Sequence, residues 1–204
     1  SSSLVLVDSG NYAHRNTNKY KSQIEKFSKN FPKLAVPDYA EANNIENMLS
    51  IAGGKYLSNG LNSLCKLESN SLDLIYSQAV LEHIRHDEFK EMMVQCHRLL
   101  KNDGIMSHVV DYKDHLGGGL NNLRFSSSLW EKNWFAFNSG FYTNRLRMSE
   151  MILICESIGL KVLVHDVKYW NSLPIQYNNL AKEFRSFSEN ELLISEAHLI
   201  MLLN

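Results

Sequence analysis

Residues 72–112 constrain the fold more than any other part of the chain. The stretch opens with an apolar run at residues 72–76, whose length is typical of a strand. Apolar residues then recur at three- and four-residue steps over residues 88–100, which predicts an amphipathic helix. Residues 102–104 are predicted to end that helix, and residues 105–111 to form a second strand. Strand, helix and strand in this order predict a right-handed βαβ unit of a parallel sheet.

Polar side chains gather at one end of this predicted unit. Parallel sheets of this kind bind ligands beyond the carboxyl ends of their strands. The polar residues that follow the two strands are Ser77, Gln78, Glu82, His83, Asp111, Asp114 and His115. The sequence therefore predicts a ligand site at this edge of the sheet.

The rest of the chain continues the alternation of strands and helices. Residues 4–7 form an apolar run closed by Asp8, which is typical of a strand buried on both faces. Periodicity predicts helices at 20–29, 44–52, 148–158 and 180–187, and strands at 55–57, 160–167 and 194–203. This order predicts an α/β fold with a doubly wound, mostly parallel sheet.

Composition limits the number of domains and the class of partner. With 204 residues, of which 44% are hydrophobic, we expect a single domain over residues 1–204. The 21 basic and 22 acidic residues give a net charge of −1, which favours a small-molecule substrate over nucleic acid. No apolar run approaches the ~20 residues of a membrane span, so no membrane partner is predicted. Cys65, Cys96 and Cys155 lie in apolar contexts without close pairing, which predicts buried, reduced thiols and a cytoplasmic location.

Several features of the central stretch occur together at fixed spacing. Asp73 opens the first strand, Leu-Glu-His follows it at residues 81–83, and Arg-Leu-Leu-Lys-Asn-Asp-Gly at residues 98–104 precedes the second strand. In this order they resemble strands four and five of class I S-adenosylmethionine-dependent methyltransferases. The resemblance runs from about Leu4 to the C-terminus, and over residues 111–147 it is to a bacterial subgroup of methyltransferase-domain proteins. It implies a Rossmann-like sheet whose C-terminal strand is antiparallel.

The resemblance also implies S-adenosylmethionine as the cofactor. Asp8 takes the position of the acid that ends strand two and binds the ribose hydroxyls, although it has the alternative of simply capping the next turn. Residues 58–61 take the place of the loop that touches adenine. The implied cofactor residues are Asp8, Ser58, Asn59, Gly60, Leu61, Ser77 and Gln78. Strand one and the glycine-rich loop of the family have no counterpart in the chain, so we expect it to be truncated at its N-terminus.

Histidine is the side chain best suited to take a proton near neutral pH if the methyl acceptor is a hydroxyl. We predict His115 as this base, oriented by Asp111 or Asp114, and His83 as the second candidate. Each histidine has a structural alternative, such as packing at the start of the helix. No metal is predicted, because His83 and His86 lack a third ligand at a diagnostic spacing.

Residues 112–147 mix polar side chains with large apolar ones and are predicted to form a cap or a substrate-facing insert. Buried polar groups need partners, so these side chains either bind a polar acceptor or satisfy one another. The predicted substrate-binding residues are Asp114, Asn122, Arg124, Tyr142, Asn144 and Arg145. Arg124 and Arg145 are further predicted to clamp an acidic group of the acceptor. The alternatives are a self-satisfied cap or a contact between the subunits of a homo-oligomer.

Three functions fit these patterns. The favoured one is S-adenosylmethionine-dependent methyl transfer to a small-molecule or sugar-like acceptor. The second is a catalytically silent binding or assembly module of the same fold. The third is a nicotinamide-dependent oxidoreductase, because such enzymes share the doubly wound sheet.

Overall fold

The structure is a computed structural model that describes residues 3–13 and 16–204. The chain divides into two compact units, one ending at Leu67 and the other comprising Glu68–Asn204. The interpretation of residues 1–204 as a single domain stays a prediction. Within the described residues, no helix is both long and apolar enough to cross a lipid bilayer.

The first unit contains a two-stranded parallel sheet. Strand β1 (Leu4–Val7) pairs with β2 (Gly54–Leu57), which places Leu4 opposite Gly54 and Val7 opposite Leu57. Both predicted strands are confirmed. The prediction that β1 is buried on both faces is wrong, because the Leu4 and Leu6 side chains are 44% and 42% exposed. An apolar run indicates a strand, but how many neighbours cover that strand depends on the tertiary structure.

Three helices accompany this small sheet. Helix α1 is Thr17–Asn30, α2 is Ile45–Ile51 and α3 is Gly60–Leu64. Asparagine side chains cap the first two: Asn16 accepts a hydrogen bond from the Asn18 N–H, and Asn44 from the Asn47 N–H. The helices predicted at residues 20–29 and 44–52 are therefore confirmed, within a few residues at their ends.

The second unit contains a four-stranded sheet of order β3-β4-β6-β5. The strands are β3 (Leu72–Gln78), β4 (Leu100–Asp111), β5 (Leu160–Tyr169) and β6 (Ile194–Leu203). Strands β3 and β4 are parallel, and β6 runs antiparallel between β4 and β5. Three of these four strands thus point the same way. The Rossmann-like α/β fold and the antiparallel C-terminal strand are confirmed.

Strand β4 begins earlier than the sequence predicts. It starts at Leu100, directly after the helix, so the prediction that residues 102–104 form the stop between helix and strand is wrong. The register with β3 shifts between Leu72 and Leu74, where the extra residues of β4 are accommodated as an irregularity in the ladder. Beyond this shift, Ser77 lies opposite His108 and Gln78 opposite Val109. The carboxyl ends of β3 and β4 therefore meet at one edge.

Two helices pack on the larger sheet. Helix α4 (Phe89–Leu99) buries Phe89, Met93, Cys96 and Leu99, and α7 (Met148–Glu156) buries Met151 and Cys155. Both helices were predicted. Gly159, with a φ of +90°, allows the chain to turn from α7 into β5. Cys65 is exposed, so the prediction of a buried thiol is wrong at that position.

A cluster of buried apolar side chains joins residues 120–123 to residues 180–192. It contains Leu120, Leu123, Leu180, Phe184 and Leu192. The prediction of a helix at residues 180–187 is wrong, because the segment makes only one 3₁₀ turn, Lys182–Phe184. The buried Leu180 and Phe184 explain the apolar spacing that suggested a helix. The remaining short helices are α5 (Ser127–Trp130), α6 (Asn133–Asn138) and α8 (Glu189–Leu192).

Candidate functional site

The chain leaves β3 through a tight turn at the carboxyl edge of the larger sheet. Ala79 has a φ of +51°, and its N–H donates to the Val109 carbonyl of β4 over 2.9 Å. A 3₁₀ turn, Leu81–His83, follows immediately. Asn144, near the C-terminal end of the insert, stabilises this turn. Its backbone N–H donates to the Glu82 carbonyl over 2.7 Å, and its side-chain amide donates to the carbonyls of Leu81 and Ile84. The turn is therefore fixed by a segment some 60 residues away in the chain.

Glu82 points into the protein from this turn. Only 3% of the residue is exposed, and neither carboxylate oxygen has a hydrogen-bond partner. Burial raises the pKa of Glu82 to about 7, and the neighbouring Asp111 carboxylate adds to the rise. Lys113 and the backbone N–H groups of Glu82 and Asp111 act in the opposite direction. Near neutral pH this carboxyl group is therefore close to the midpoint of its titration.

Two histidines lie on the exposed side of the same region. The rings of His83 and His115 are 4.9 Å apart, and the Nδ1 atom of His83 is 3.3 Å from the Tyr142 carbonyl oxygen. Partial burial lowers the pKa of His83, and the nearby His115 ring lowers it further. The predicted catalytic histidines are thus brought together, and His83 is held in its neutral form near pH 7.

The two aspartates predicted near His115 are placed differently. Asp111 ends β4 and forms an ion pair with Lys113, with 2.9 Å between carboxylate oxygen and ammonium nitrogen. Asp114 is buried and accepts hydrogen bonds from the N–H groups of Leu116, Gly118 and Asn121. Asp114 therefore fixes the shape of the loop at residues 115–121, while Asp111 stays half-buried at the strand end.

Ser77 and Gln78 close β3 as predicted. The Ser77 hydroxyl lies 2.7 Å from Nδ1 of His108, whose ring is 2% exposed and whose Nε2 has no partner. Burial lowers the pKa of His108 to about 4, with a further contribution from His198, so His108 is neutral at physiological pH. The Gln78 side-chain oxygen accepts a hydrogen bond from the Tyr76 hydroxyl.

Most of the predicted substrate-binding residues bind the protein itself. Asn122 donates to the Thr143 hydroxyl, and the Tyr142 hydroxyl donates to the Glu131 carboxylate. Arg145 donates to the Phe125 carbonyl and the Ser127 hydroxyl, and its guanidinium lies 5.1 Å from the Trp130 ring centre. These contacts favour the alternative of a cap whose polar groups satisfy one another. Arg124 is exposed, and the role of all these residues toward a substrate stays a prediction.

The first unit places the other predicted cofactor residues together. Asp8 follows β1, and its carboxylate accepts hydrogen bonds from the Ser9 N–H and the Tyr56 hydroxyl. The Gly60 N–H donates to the Asp8 carbonyl over 2.8 Å, so the start of α3 lies against the end of β1. Gly60 has a φ of +46°. The prediction that residues 58–61 form a loop holds for Ser58 and Asn59, which are exposed, and is wrong for Gly60 and Leu61, which are half-buried and begin α3.

This arrangement fits the nucleoside part of S-adenosylmethionine. An ionised carboxylate offers about four lone-pair sites, and Asp8 uses two of them within the protein, which leaves acceptor capacity for ribose hydroxyls. The exposed loop that begins at Ser58 provides backbone groups beside it. These residues have the chemistry to hold the nucleoside, and their role in cofactor binding stays a prediction.

The sequence interpretation gave no role to Glu82, which is the most unusual polar group of the region. Its presence at the sheet edge was apparent from its position after β3. Its burial and its lack of hydrogen-bond partners could not be predicted, because the sequence Leu-Glu-His does not show whether the acid faces water or the protein interior. No other described residue has a carboxylate with both oxygens buried and unpartnered.

Comparison with known proteins agrees with this geometry. The profile of the methyltransferase domain family matches residues 26–107, from within α1 to within β4. Among curated proteins, no sequence matches the chain. Over this stretch, which is less than half of the 204 residues, the chain is therefore similar to methyltransferase domains.

Solved structures with a similar arrangement of elements exist. One is a SAM-dependent methyltransferase from Archaeoglobus fulgidus, with a TM-score of 0.48 and 11% identity over 98% of this chain and 85% of the other. Another is the YcgJ protein of Bacillus subtilis, with a TM-score of 0.45 and 14% identity over 98% of this chain and 79% of the other. At these identities and scores, neither likeness identifies an acceptor for this chain.

Proposed function

We propose that this protein transfers a methyl group from S-adenosylmethionine to a hydroxyl of a small, sugar-like acceptor. The observation that carries this proposal is the pair of exposed histidine rings, His83 and His115, at the carboxyl edge of β3 and β4. Ligands of parallel α/β sheets bind at this edge. A neutral imidazole there is suited to accept the proton of a hydroxyl that attacks a methyl group.

S-adenosylmethionine supplies a methyl group bonded to a positively charged sulfur, and that sulfur becomes a neutral thioether when the methyl group is transferred. In the proposed assignment, Asp8 and residues 58–61 hold the nucleoside of the cofactor. His115 accepts the hydroxyl proton, and Asp111 orients the His115 ring. The main task of the remaining residues is alignment, since an in-line displacement depends on the angle between the acceptor oxygen, the methyl carbon and the sulfur.

Binding of the cofactor tests the proposal directly. We expect calorimetry to detect S-adenosylmethionine binding and no binding of NADH, which separates a methyltransferase from an oxidoreductase of similar fold. Asp8→Ala is expected to weaken the binding by roughly 1.5 to 3 kcal/mol, the scale of a hydrogen bond to a charged group. Asp38→Ala, at an exposed aspartate of the same unit, serves as the matched control.

Transfer of an isotope-labelled methyl group to a panel of hydroxyl-bearing sugars completes the test. Labelled product is expected with at least one member of the panel. Cofactor binding without any transfer across the panel would favour the catalytically silent module over the proposed enzyme. Tighter binding of NADH than of S-adenosylmethionine would contradict the proposal outright.

A further inference from the structure

The buried Glu82 carboxylate has no structural partner that explains it. Two ionised oxygens without hydrogen bonds cost several kcal/mol when they are taken out of water. Buried polar groups in folded proteins are almost always paired, so an unpaired carboxylate calls for an explanation. Both Glu82 oxygens are inaccessible and unpartnered, although His83, the next residue, and His86, further along the chain, are exposed.

The buried cations of this unit do not neutralise Glu82. The Arg147 guanidinium donates to the carbonyls of Tyr112, Glu191 and Ile194. Arg145 is directed toward Phe125 and Ser127, on the side of the insert. Neither arginine forms an ion pair with Glu82 among the described contacts.

The charged and titratable groups around Glu82 leave the site negative or neutral. Asp111 and Lys113, at the end of β4, pair with each other over 2.9 Å. Tyr112, between them, is kept neutral because burial raises its pKa. His83 has a lowered pKa and is uncharged near neutrality. Lys113 is engaged by Asp111 and only partly offsets the negative charge that Glu82 carries when it is ionised.

We propose that Glu82 binds the acceptor, accepting hydrogen bonds from two donor groups next to the reacting hydroxyl, and that the acceptor is therefore a neutral or cationic polyol. This inference rests on the proposed function and names the class of acceptor at the same site. A carboxylate presents two oxygens side by side, which match the adjacent hydroxyl or amino groups of a sugar ring. An acidic sugar would place its own carboxylate in a site that holds an unpaired negative charge, and the repulsion is strong at low dielectric.

This proposal replaces the predicted clamp of Arg124 and Arg145 on an acidic acceptor. The side chain of Arg145 is occupied within the insert, and Arg124 is exposed at the end of a 3₁₀ turn. Both Glu82 oxygens are covered in the free protein, so this proposal requires the covering side chains to move when the acceptor binds. Binding then supplies the two hydrogen bonds that the carboxylate lacks.

Binding of a neutral, an amino and an acidic sugar tests the inference on the full chain without cofactor. The probes are methyl α-D-glucopyranoside, D-glucosamine and D-glucuronate, and binding is followed by NMR titration. We expect the neutral and amino sugars to bind at least about tenfold more tightly than the uronate. Because the donors pair with the ionised carboxylate, affinity for the neutral probe should rise about tenfold from pH 6 to pH 8, through the pKa of about 7.

Glu82→Gln keeps the shape of the side chain and removes its charge. We expect this variant to bind the neutral probe at least about tenfold more weakly, to lose the pH dependence, and to stop discriminating against the uronate. Glu88→Gln makes the same change at an exposed glutamate six residues away and should behave as the wild type. A persistent pH dependence in Glu82→Gln would point to the histidines and overturn the proposal.

The remaining outcomes separate this inference from the proposed function. Equal or tighter binding of the uronate, or failure of all three probes to bind, overturns the inference. Methyl transfer to a carboxylate-bearing acceptor would overturn it as well, while leaving the proposed methyltransferase intact. Probe binding that depends on Glu82, without S-adenosylmethionine binding, would support the inference and contradict the methyltransferase function.

Discussion

At the scale of single residues, the buried Glu82 carboxyl should make stability depend on pH. Its pKa in the folded protein is about 7, above the ordinary value of 4.5, so between these two values the folded state holds a proton that the unfolded state has released. The free energy of unfolding therefore falls as pH rises through this range, by about 3 kcal/mol in total. Glu82→Gln should lack this loss and be more stable than the wild type at pH 8.

Urea unfolding at pH 5, 6, 7 and 8 measures the effect. The stability difference between Glu82→Gln and the wild type should grow with pH and reach most of its value by pH 8. Glu88→Gln, at an exposed site, should show no such divergence. Parallel stability curves for wild type and Glu82→Gln would mean that the carboxylate is solvated in the folded protein.

His115 should affect turnover without affecting cofactor binding. Its ring lies 4.9 Å from that of His83 at the exposed edge of the sheet, where the proposed acceptor hydroxyl would meet it. Loss of a general base typically lowers the rate by 10² or more, so His115→Ala should reduce turnover by roughly a hundredfold. Steady-state rates and calorimetry with S-adenosylmethionine measure the two quantities, and His97→Ala, on α4, is the control. Unchanged turnover would remove His115 from the mechanism.

At the scale of elements, Asn144 joins the insert to the turn after β3. Its side-chain amide donates to the carbonyls of Leu81 and Ile84 over 2.8 and 2.9 Å, and its oxygen accepts from the Leu146 N–H. Asn144→Ala leaves these three groups without their partner in the interior. We expect the free energy of unfolding to fall by roughly 2 to 4 kcal/mol.

Chemical unfolding of Asn144→Ala at neutral pH measures this loss. Asn138→Ala is the matched control, because Asn138 is exposed and its amide makes one hydrogen bond, to the Trp134 carbonyl. That variant should stay within about 0.5 kcal/mol of the wild type. A similarly small effect at Asn144 would show that the insert does not hold the turn.

At the scale of the whole molecule, the second unit has the features of an independently folding domain. Glu68–Asn204 contains the complete four-stranded sheet, helices α4 and α7, and the apolar cluster around Leu123 and Phe184. The sheet described in the first unit has two strands, and such a sheet is marginal by itself. We expect residues 68–204 expressed alone to unfold cooperatively, with a free energy of unfolding of several kcal/mol.

Circular dichroism and urea unfolding of residues 68–204, beside residues 1–67, test this expectation. The shorter piece should show no cooperative transition. If residues 68–204 also fail to unfold cooperatively, the two units are not separable in folding, which would favour the prediction of a single domain over residues 1–204.

The amino-acid sequence by itself determined the type and order of the main strands and helices. Apolar runs of strand length and apolar residues at helical spacing are local signals, so β1 to β6, α1, α2, α4 and α7 could be predicted from them. The meeting of His83, Asp111 and His115 at one edge also followed, because the carboxyl ends of parallel strands lie together. Local signals do not carry exposure, which is why Leu4, Leu6 and Cys65 were predicted to be buried.

The tertiary structure alone decided how the polar side chains are used. Asn144 and Arg145 were predicted to face a substrate, but hydrogen bonds to residues 18 to 63 positions away occupy them within the protein. Glu82 was one polar residue among several at the sheet edge, and only the packing around it isolates its carboxylate from water and from cations. The reason is physical: partners and solvation depend on residues distant in sequence, whereas strand and helix propensities depend on neighbours in the chain.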